Sequence, residues 1–248
     1  MIQLHLFSTP GEGGIEYIFE VARSILQGQS APLVAYLPAA NTHRRWIRET
    51  KAAFRGLATV TAINVETQPI GRILAILDRA ALLYIPGGNT YLMAHRLHHF
   101  PKWPGGEGLM SELRKRILAG LPLIGFSAGA VLCGPEVLTT NDINCCGCTT
   151  FEGLNLVSFN LNTHYPAEPG EARQARDDRL QEYLTFHPGR TVLAMEDGAY
   201  IKVIDGEVQV VEGHVWTAEQ GSQTIRSEGG TLWQQSIVYK RVAPKANS

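Results

Sequence analysis

The stretch that most constrains the fold is residues 121–130, Leu-Pro-Leu-Ile-Gly-Phe-Ser-Ala-Gly-Ala. A short apolar run meets a Gly-Phe-Ser-Ala-Gly corner, which predicts a buried strand that enters a helix through a very sharp turn. The turn needs small residues at Gly125 and Gly129, and it leaves the Ser127 side chain clear at the carboxyl end of the strand. We therefore predict a nucleophile elbow with the Ser127 hydroxyl as nucleophile. A plain packing corner of small residues is the alternative.

Apolar segments alternate with helix-patterned segments up to this corner. Short apolar strands are predicted at 33–37, 58–65 and 81–85, with helices at 70–79 and 109–118 among the segments that follow them. Repeated strand–helix alternation with fully apolar strands is typical of a parallel sheet covered by helices on both faces. In such sheets ligands bind at the carboxyl ends of the strands, where both Gly87-Gly88-Asn89 and Ser127 are expected.

The second half of the chain has a looser pattern. A strand near 156–160 is predicted to lead into a turn that carries His164, and a charged helix covers 168–186. A strand at 191–195 precedes two alternating stretches, about 200–204 and 208–211, which flank Asp205-Gly206 and indicate a β-hairpin. A last strand is predicted near 231–239. We expect one α/β domain over 1–243 and a disordered tail at 244–248.

Charge and composition exclude several classes of function. The 22 Lys and Arg residues balance 23 Asp and Glu residues, which argues against a nucleic-acid binder with a broad basic face. No run of eighteen apolar residues occurs, so no membrane span is expected, and the first residues do not resemble a signal peptide. We therefore expect a cytoplasmic protein without a membrane partner.

The four cysteines are Cys133, Cys145, Cys146 and Cys148. The last three are too crowded for a disulfide framework, and they lack the paired Cys-x-x-Cys spacing of structural zinc sites. Reduced loop cysteines are the favoured interpretation, with a metal site as the alternative. We expect neither a metal nor a cofactor.

A serine nucleophile needs a base, an acid that orients the base, and donors for the oxyanion. His164 is the best candidate for the base. The acid is Asp142 or Glu196, and the sequence alone does not choose between them. The backbone N–H groups of Ala128 and Gly88 are the natural oxyanion donors.

Six ordered motifs carry a resemblance to the aspartyl dipeptidase (peptidase E) family, with cyanophycinases as more distant relatives. They are Gly-Gly-Asn-Thr at 87–90, Gly-Phe-Ser-Ala-Gly-Ala at 125–130, Thr-Thr-Asn-Asp at 139–142, Asn-Thr-His-Tyr at 162–165, Ala-Arg-Asp-Asp-Arg at 175–179 and Glu-Asp-Gly-Ala-Tyr at 196–200. The resemblance implies a flavodoxin-like fold similar to class I glutamine amidotransferases, with serine in place of their nucleophilic cysteine. It also implies a hydrolase that removes N-terminal aspartate from short peptides.

The resemblance also implies roles for single residues. Ser127 matches the nucleophile and His164 the base. Glu196 matches the family's triad glutamate, and Asp142 matches an aspartate also proposed for that role. The same comparison aligns Gly88 and Ala128 with the oxyanion donors, and Asn89 and Arg176 with the substrate-binding residues. A bidentate contact between Arg176 and the aspartate side chain of a substrate makes physical sense.

Some positions depart from the family pattern and keep other interpretations open. Asp197 adds an acid next to Glu196, which disfavours a negatively charged substrate residue unless Arg173 or Arg176 offsets it. An amide hydrolase for β-aspartyl or cyanophycin-like substrates is one alternative, and a non-catalytic ligand-binding homologue is another. An α/β-hydrolase fold is a weaker structural alternative, because its Ser-acid-His order fits only if Asp142 is the acid. The expected partner is a small peptide, with the chain a monomer or homodimer.

Overall fold

The computed structural model describes residues 1–9, 14–41, 45–220 and 225–234. Strands and helices alternate through the first half, and strands dominate the second. The strands are β1 Gln3–Phe7, β2 Leu33–Tyr36, β3 Thr59–Ala62, β4 Ala80–Ile85, β5 Leu123–Phe126, β6 Asn160–Tyr165, β7 Thr191–Glu196, β8 Tyr200–Ile204, β9 Glu207–Glu219 and β10 Ile225–Gln234. The helices are α1 Gly14–Leu26, α2 Arg45–Ala53, α3 Ile70–Arg79, α4 Thr90–His98, α5 Leu109–Leu118, α6 Ala128–Val131 and α7 Glu171–Phe186.

The described strands form one sheet in the order β3-β2-β4-β5-β1-β8-β9-β7-β6, and β10 pairs with β9 outside this path. The five strands from β3 to β1 are all parallel, which confirms the expected α/β architecture. β8 runs antiparallel to β1, and β7 runs antiparallel to β9, while β6 and β7 are parallel. The site-bearing strands β1, β5, β6 and β7 therefore all belong to one continuous sheet.

Helices cover both faces of the parallel part of the sheet because successive strand residues point to opposite faces. Val34 and Tyr36 pack with Phe19 of α1 and Phe54 beyond α2 on one face. Ala35 and Leu37 contribute to the cluster on the other face, which also takes Ile73, Met93 and Leu113 from α3, α4 and α5. Among the described helices, none has the length and apolar character required to cross a membrane.

The corner after β5 is as tight as its glycines predict. A Cβ on Gly129 would lie 2.1 Å from the carbonyl oxygen of Ile85, and one on Gly125 would lie 2.7 Å from the Gly129 carbonyl oxygen. Both contacts are with backbone, so a side chain could be accommodated only by moving β4 or the corner itself. The two glycines allow α6 to start directly against the ends of β4 and β5.

One strand prediction in the second half is wrong in position. The strand predicted near 156–160 is instead Asn160–Tyr165, so His164 lies within a strand rather than in a turn after it. The pattern is misleading because β6 buries two asparagines, Asn160 and Asn162. Asn160 donates to the Tyr183 hydroxyl, and Asn162 donates to the Thr139 carbonyl, so both polar side chains are satisfied inside the protein.

The last described strands form antiparallel pairs. β8 and β9 are joined by Asp205 and Gly206, both with positive φ, and β9 continues to pair with β7 and β10. The last strand begins earlier than predicted, at Ile225. The end of the predicted 231–239 strand and the predicted tail at 244–248 lie outside the described residues.

Two glycine substitutions test the packing of the corner. We expect Gly129→Ala to lower the free energy of unfolding by about 3 kcal/mol or more, because the added methyl overlaps the Ile85 carbonyl. Gly71→Ala is the matched control, since the space around Gly71 in α3 is open and alanine favours a helix over glycine by about 0.8–1.0 kcal/mol. Urea unfolding measures both. Equal stability of the two variants would contradict the packing described for the corner.

Candidate active site

Ser127 stands at the corner between β5 and α6 in a strained backbone conformation. Its φ is 51° and its ψ is −113°, a region that non-glycine residues adopt only when surrounding structure imposes it. The Ser127 N–H donates to the Phe7 carbonyl of β1 at 2.8 Å. The Ser127 Oγ lies 2.8 Å from His164 Nε2. The predicted nucleophile and the predicted base are therefore within hydrogen-bonding distance.

His164 reaches Ser127 because β6 is irregular at this point. The pairing of β6 with β7 shifts register between Asn162 and Tyr165, and His164 has a φ of 58°. Such a bulge redirects a side chain away from the regular alternation of the strand. The backbone N–H of His164 donates to the Ser8 Oγ at 2.9 Å, and Ser8 donates to the Met195 carbonyl at 3.1 Å.

The carboxylate beside His164 belongs to Asp197. Asp197 Oδ1 lies 2.8 Å from His164 Nδ1, on the opposite side of the ring from Ser127. A carboxylate at Nδ1 holds the ring proton there, which leaves the Nε2 lone pair to accept the serine proton. The His164 side chain is 42% exposed and that of Asp197 is 66% exposed, so this pair is open to solvent.

The end of β1 holds the turn that carries Asp197. The Ser8 N–H donates to the Ala199 carbonyl at 2.9 Å, and the Thr9 hydroxyl accepts from the Gly198 N–H at 2.7 Å. The turn is closed by the Ala199 N–H, which donates to the Glu196 carbonyl at 3.0 Å. Residues 7–9 therefore contact the serine corner, the histidine bulge and the aspartate turn.

The structure places Glu196 away from His164. Its side chain is 3% exposed and accepts from Trp216 Nε1 at 2.7 Å and from His214 Nδ1 at 3.0 Å, with the Arg173 guanidinium 3.8 Å away. These partners belong to β9 and α7, whereas Asp197 follows the end of β7 and contacts His164. The assignment of Glu196 as the acid that orients His164 does not match this geometry, because the carboxylate at His164 Nδ1 is that of Asp197.

The alternative acid, Asp142, also lies elsewhere. Its Oδ2 accepts from the Thr90 N–H at 2.7 Å, from the Thr90 hydroxyl at 2.6 Å and from the Thr140 hydroxyl at 2.9 Å. Asn89 caps the same helix by accepting from the Leu92 N–H at 2.9 Å, and its amide donates to the Ile143 carbonyl. Asp142 and Asn89 thus fix the start of α4, as helix N-terminal residues do.

The predicted oxyanion residues flank Ser127. Ala128 follows it in the corner. Gly88 lies in the loop before α4, with a φ of 142°, and a Cβ there would lie 2.3 Å from the Ala40 carbonyl oxygen. A Cβ on its neighbour Gly87 would lie 3.1 Å from the Ser127 Cβ, so this loop passes directly beside the nucleophile. Glycine at 88 is required by both backbone conformation and space.

Arg176 lies behind the histidine bulge. Its Nη1 donates to the Asn162 side chain at 3.0 Å and to the His164 carbonyl at 3.2 Å. Burial lowers the pKa of Arg176 to about 10, and the guanidinium stays charged at neutral pH. Its Nε is buried without a hydrogen-bond partner among the described residues.

The cysteine loop lies next to Asn89. All four thiols are free, and Cys145 is exposed, with its Sγ 4.0 Å from the Asn89 amide nitrogen. Burial raises the pKa of Cys148 above its usual value. Within the described ranges, no group of three His, Cys, Asp or Glu side chains is placed to bind a metal ion.

A serine on a strand–helix corner, with its hydroxyl within hydrogen-bonding distance of a histidine, is the arrangement that serine hydrolases use. Residues 6–211 match the sequence profile of peptidase family S51. Because the match covers most of the chain, the protein belongs to this family, and the resemblance to aspartyl dipeptidases is confirmed. It is therefore a serine peptidase.

Named relatives agree with this assignment. The chain is 27% identical to a peptidase E of Nostoc sp. over 84% of this chain and 85% of the relative. It is 28% identical to a peptidase E of Salmonella heidelberg over 89% of this chain and 94% of the relative. A crystal structure of a putative peptidase E protein from Listeria monocytogenes superposes with a TM-score of 0.61 at 20% identity, covering 92% of this chain and 98% of that one. This last similarity supports the fold.

Sequence reasoning missed Asp197, Ser8 and Thr9 as contributors to the site. For Asp197, the available signal was its position next to Glu196. Either of two neighbouring carboxylates at the end of a strand could have faced the histidine. Nothing in the local sequence marks Ser8 or Thr9, because their partners lie more than 150 residues away.

Two substitutions distinguish Asp197 from Glu196 as the acid that orients His164. We expect Asp197→Asn to lower kcat by about 100-fold, because the amide no longer holds the His164 proton at Nδ1. Glu196→Gln should change kcat by less than about threefold while lowering the free energy of unfolding by about 1–3 kcal/mol, because an amide faces two buried donors. Steady-state kinetics and urea unfolding measure the two effects. A larger loss of kcat in Glu196→Gln would contradict the assignment.

Ser8 provides a test of how the histidine is positioned. Ser8→Ala removes the acceptor for the His164 N–H, and we expect kcat to fall about tenfold with little change in KM. Ser24→Ala is the matched control, because Ser24 is an exposed residue of α1 whose hydroxyl bonds only within the helix. If both variants keep full kcat, Ser8 does not position His164.

Proposed function

We propose that the protein is a dipeptidase that cleaves short peptides with Ser127 as nucleophile, His164 as general base and Asp197 as the acid that orients His164. The observation that carries this proposal is the continuous row of contacts from Ser127 Oγ through both His164 ring nitrogens to Asp197 Oδ1, each 2.8 Å. The row connects the nucleophile, its base and the orienting carboxylate in the order that acyl transfer requires.

The proposed reaction has two stages. His164 Nε2 takes the hydroxyl proton while Ser127 Oγ attacks the peptide carbonyl, and the N–H groups of Gly88 and Ala128 are the proposed donors to the oxyanion. His164 then gives the proton to the leaving amine, and the acyl-enzyme forms. Water attacks this ester with His164 again as base, which releases the carboxylic acid and restores Ser127. Asp197 stabilises the charged imidazole in both stages.

We further propose, from the family resemblance, a preference for N-terminal aspartate. Arg176 is the candidate counter-ion, because its charged guanidinium contacts the carbonyl of His164 directly. Its Nε is buried without a hydrogen-bond partner among the described residues, so the bonds named above leave one donor of the guanidinium unused. Arg173 is less available, since it contacts Glu196 and its guanidinium lies 4.6 Å from the Trp216 ring.

The nucleophile is tested with a fluorophosphonate, which reacts with an activated serine and loses fluoride. We expect the wild-type protein to be labelled on Ser127 and the Ser127→Ala variant to remain unlabelled and to lose hydrolysis of dipeptides by about 10⁴-fold or more. Peptide mapping of the labelled protein identifies the residue. Equal hydrolysis by both proteins would refute the proposed mechanism.

The aspartate preference is tested by the ratio of kcat/KM for two substrates. Because Arg176 contacts the His164 carbonyl, a substitution there could slow catalysis on every substrate, and the ratio cancels that effect. We expect kcat/KM for Asp-Ala to exceed that for Ala-Ala, and Arg176→Lys to lower this ratio about tenfold because lysine cannot make a bidentate contact. A β-aspartyl dipeptide serves as the competing substrate. Faster cleavage of the β-linked peptide would favour the alternative amide hydrolase. An unchanged ratio in the variant would remove Arg176 from substrate recognition.

A further inference from the structure

A large cleft opens beside the nucleophile. Its volume is about 760 Å³, and its lining includes Gly88, Ser127 and His164. This volume lies in the range of cavities that bind small molecules and exceeds the size of one amino-acid side chain. Because three proposed active-site residues line the same space, a peptide bound for attack by Ser127 extends into it.

Aromatic residues form much of the wall of this cleft. Tyr36, Tyr84 and Phe126 lie on the neighbouring strands β2, β4 and β5, and the Tyr36 and Tyr84 rings are 5.5 Å apart. Phe19 of α1 and Trp46 of α2 line the helical side. Burial raises the pKa of Tyr36 to about 12, so its hydroxyl stays neutral at working pH. The aromatic rings of this wall suit an apolar group.

The charges along the cleft disfavour an acidic occupant. Among its described lining residues, the carboxylates are Glu16 and Glu49, and lysine and arginine are absent. An aspartate side chain placed near Glu16 and Glu49 would approach like charges. A residue without charge avoids this repulsion and suits the apolar wall.

We propose that the cleft between α1, α2 and the sheet is a specificity pocket that receives a bulky apolar or aromatic side chain next to the scissile bond. This inference rests on the proposed function, since it treats Ser127 as the reacting residue. It assigns Phe19, Trp46 and Tyr84 to substrate selection, separately from Arg176. The preferred substrates are short peptides in which one residue flanking the cleaved bond is large and uncharged.

Binding without turnover tests the pocket independently of catalysis. The Ser127→Ala protein is titrated with Ala-Ala, Phe-Ala and Ala-Phe by calorimetry. We expect one of the two phenylalanine peptides to bind about tenfold more tightly than Ala-Ala, because an aromatic side chain gains apolar contact in the cleft. The peptide with the higher affinity identifies which side of the scissile bond faces the pocket. Affinities equal to that of Ala-Ala, or no binding of either phenylalanine peptide, would overturn the proposal.

A second substitution tests whether the affinity gained from the phenylalanine side chain arises in this cleft. In the same Ser127→Ala background, Trp46→Ala should reduce the phenylalanine advantage to about threefold or less. The substitution should leave folding intact, because Trp46 is 40% exposed. Phe186→Ala is the matched control, since Phe186 is an exposed aromatic residue at the end of α7. If the phenylalanine peptide still binds about tenfold more tightly than Ala-Ala in Trp46→Ala, the proposed specificity pocket would be refuted. Consumption of peptide by Ser127→Ala during titration would instead refute the proposed function.

Discussion

The carboxyl end of β1 is the structural element on which the whole site depends. Phe7 accepts the Ser127 N–H, Ser8 accepts the His164 N–H, and Thr9 accepts the Gly198 N–H beside Asp197. Ser127 and His164 have positive φ, and such conformations persist only where surrounding contacts impose them. Phe7 at the end of β1 and the next two residues therefore hold together Ser127, His164 and the turn that carries Asp197, which come from distant parts of the chain.

The two acids at the end of β7 have different physical environments. Glu196 is buried against His214 and Trp216, so its charge is matched by donors and contributes to holding β7 against β9. Asp197 points the other way and remains mostly exposed beside His164. An exposed carboxylate contributes little to stability. It can still fix the tautomer of a histidine, because that requires one well-placed hydrogen bond and not burial.

Much of the architecture could be predicted from the sequence. The strand–helix alternation predicted the parallel sheet, and the glycines at 125 and 129 predicted the tight corner, because both signals are local. The Ser127–His164 contact followed from the family resemblance. The position of β6 could not be predicted from apolar patterning, because Asn160 and Asn162 are buried through bonds to Tyr183 and Thr139, residues on other segments.

Which carboxylate lies beside His164 was similarly beyond the sequence, since Glu196 and Asp197 are neighbours and only the three-dimensional structure shows that Asp197 contacts the ring. Asp142 resembled a catalytic acid in position, but it serves the start of α4 through Thr90 and Thr140. The cleft between α1 and α2 could not be predicted from the sequence either. Its aromatic lining comes from five separate elements, and in the sequence no single aromatic residue among them indicates a cleft.

The proposed mechanism requires Asp197 to hold the proton of His164 at Nδ1. The most direct measurement is the tautomer of His164, read from the ¹⁵N chemical shifts of the histidine ring in protein labelled with ¹⁵N-histidine. We expect the Nδ1–H tautomer in the wild-type protein and in Glu196→Gln, with loss of this preference in Asp197→Asn. A tautomer that changes in Glu196→Gln and persists in Asp197→Asn would contradict the proposed mechanism.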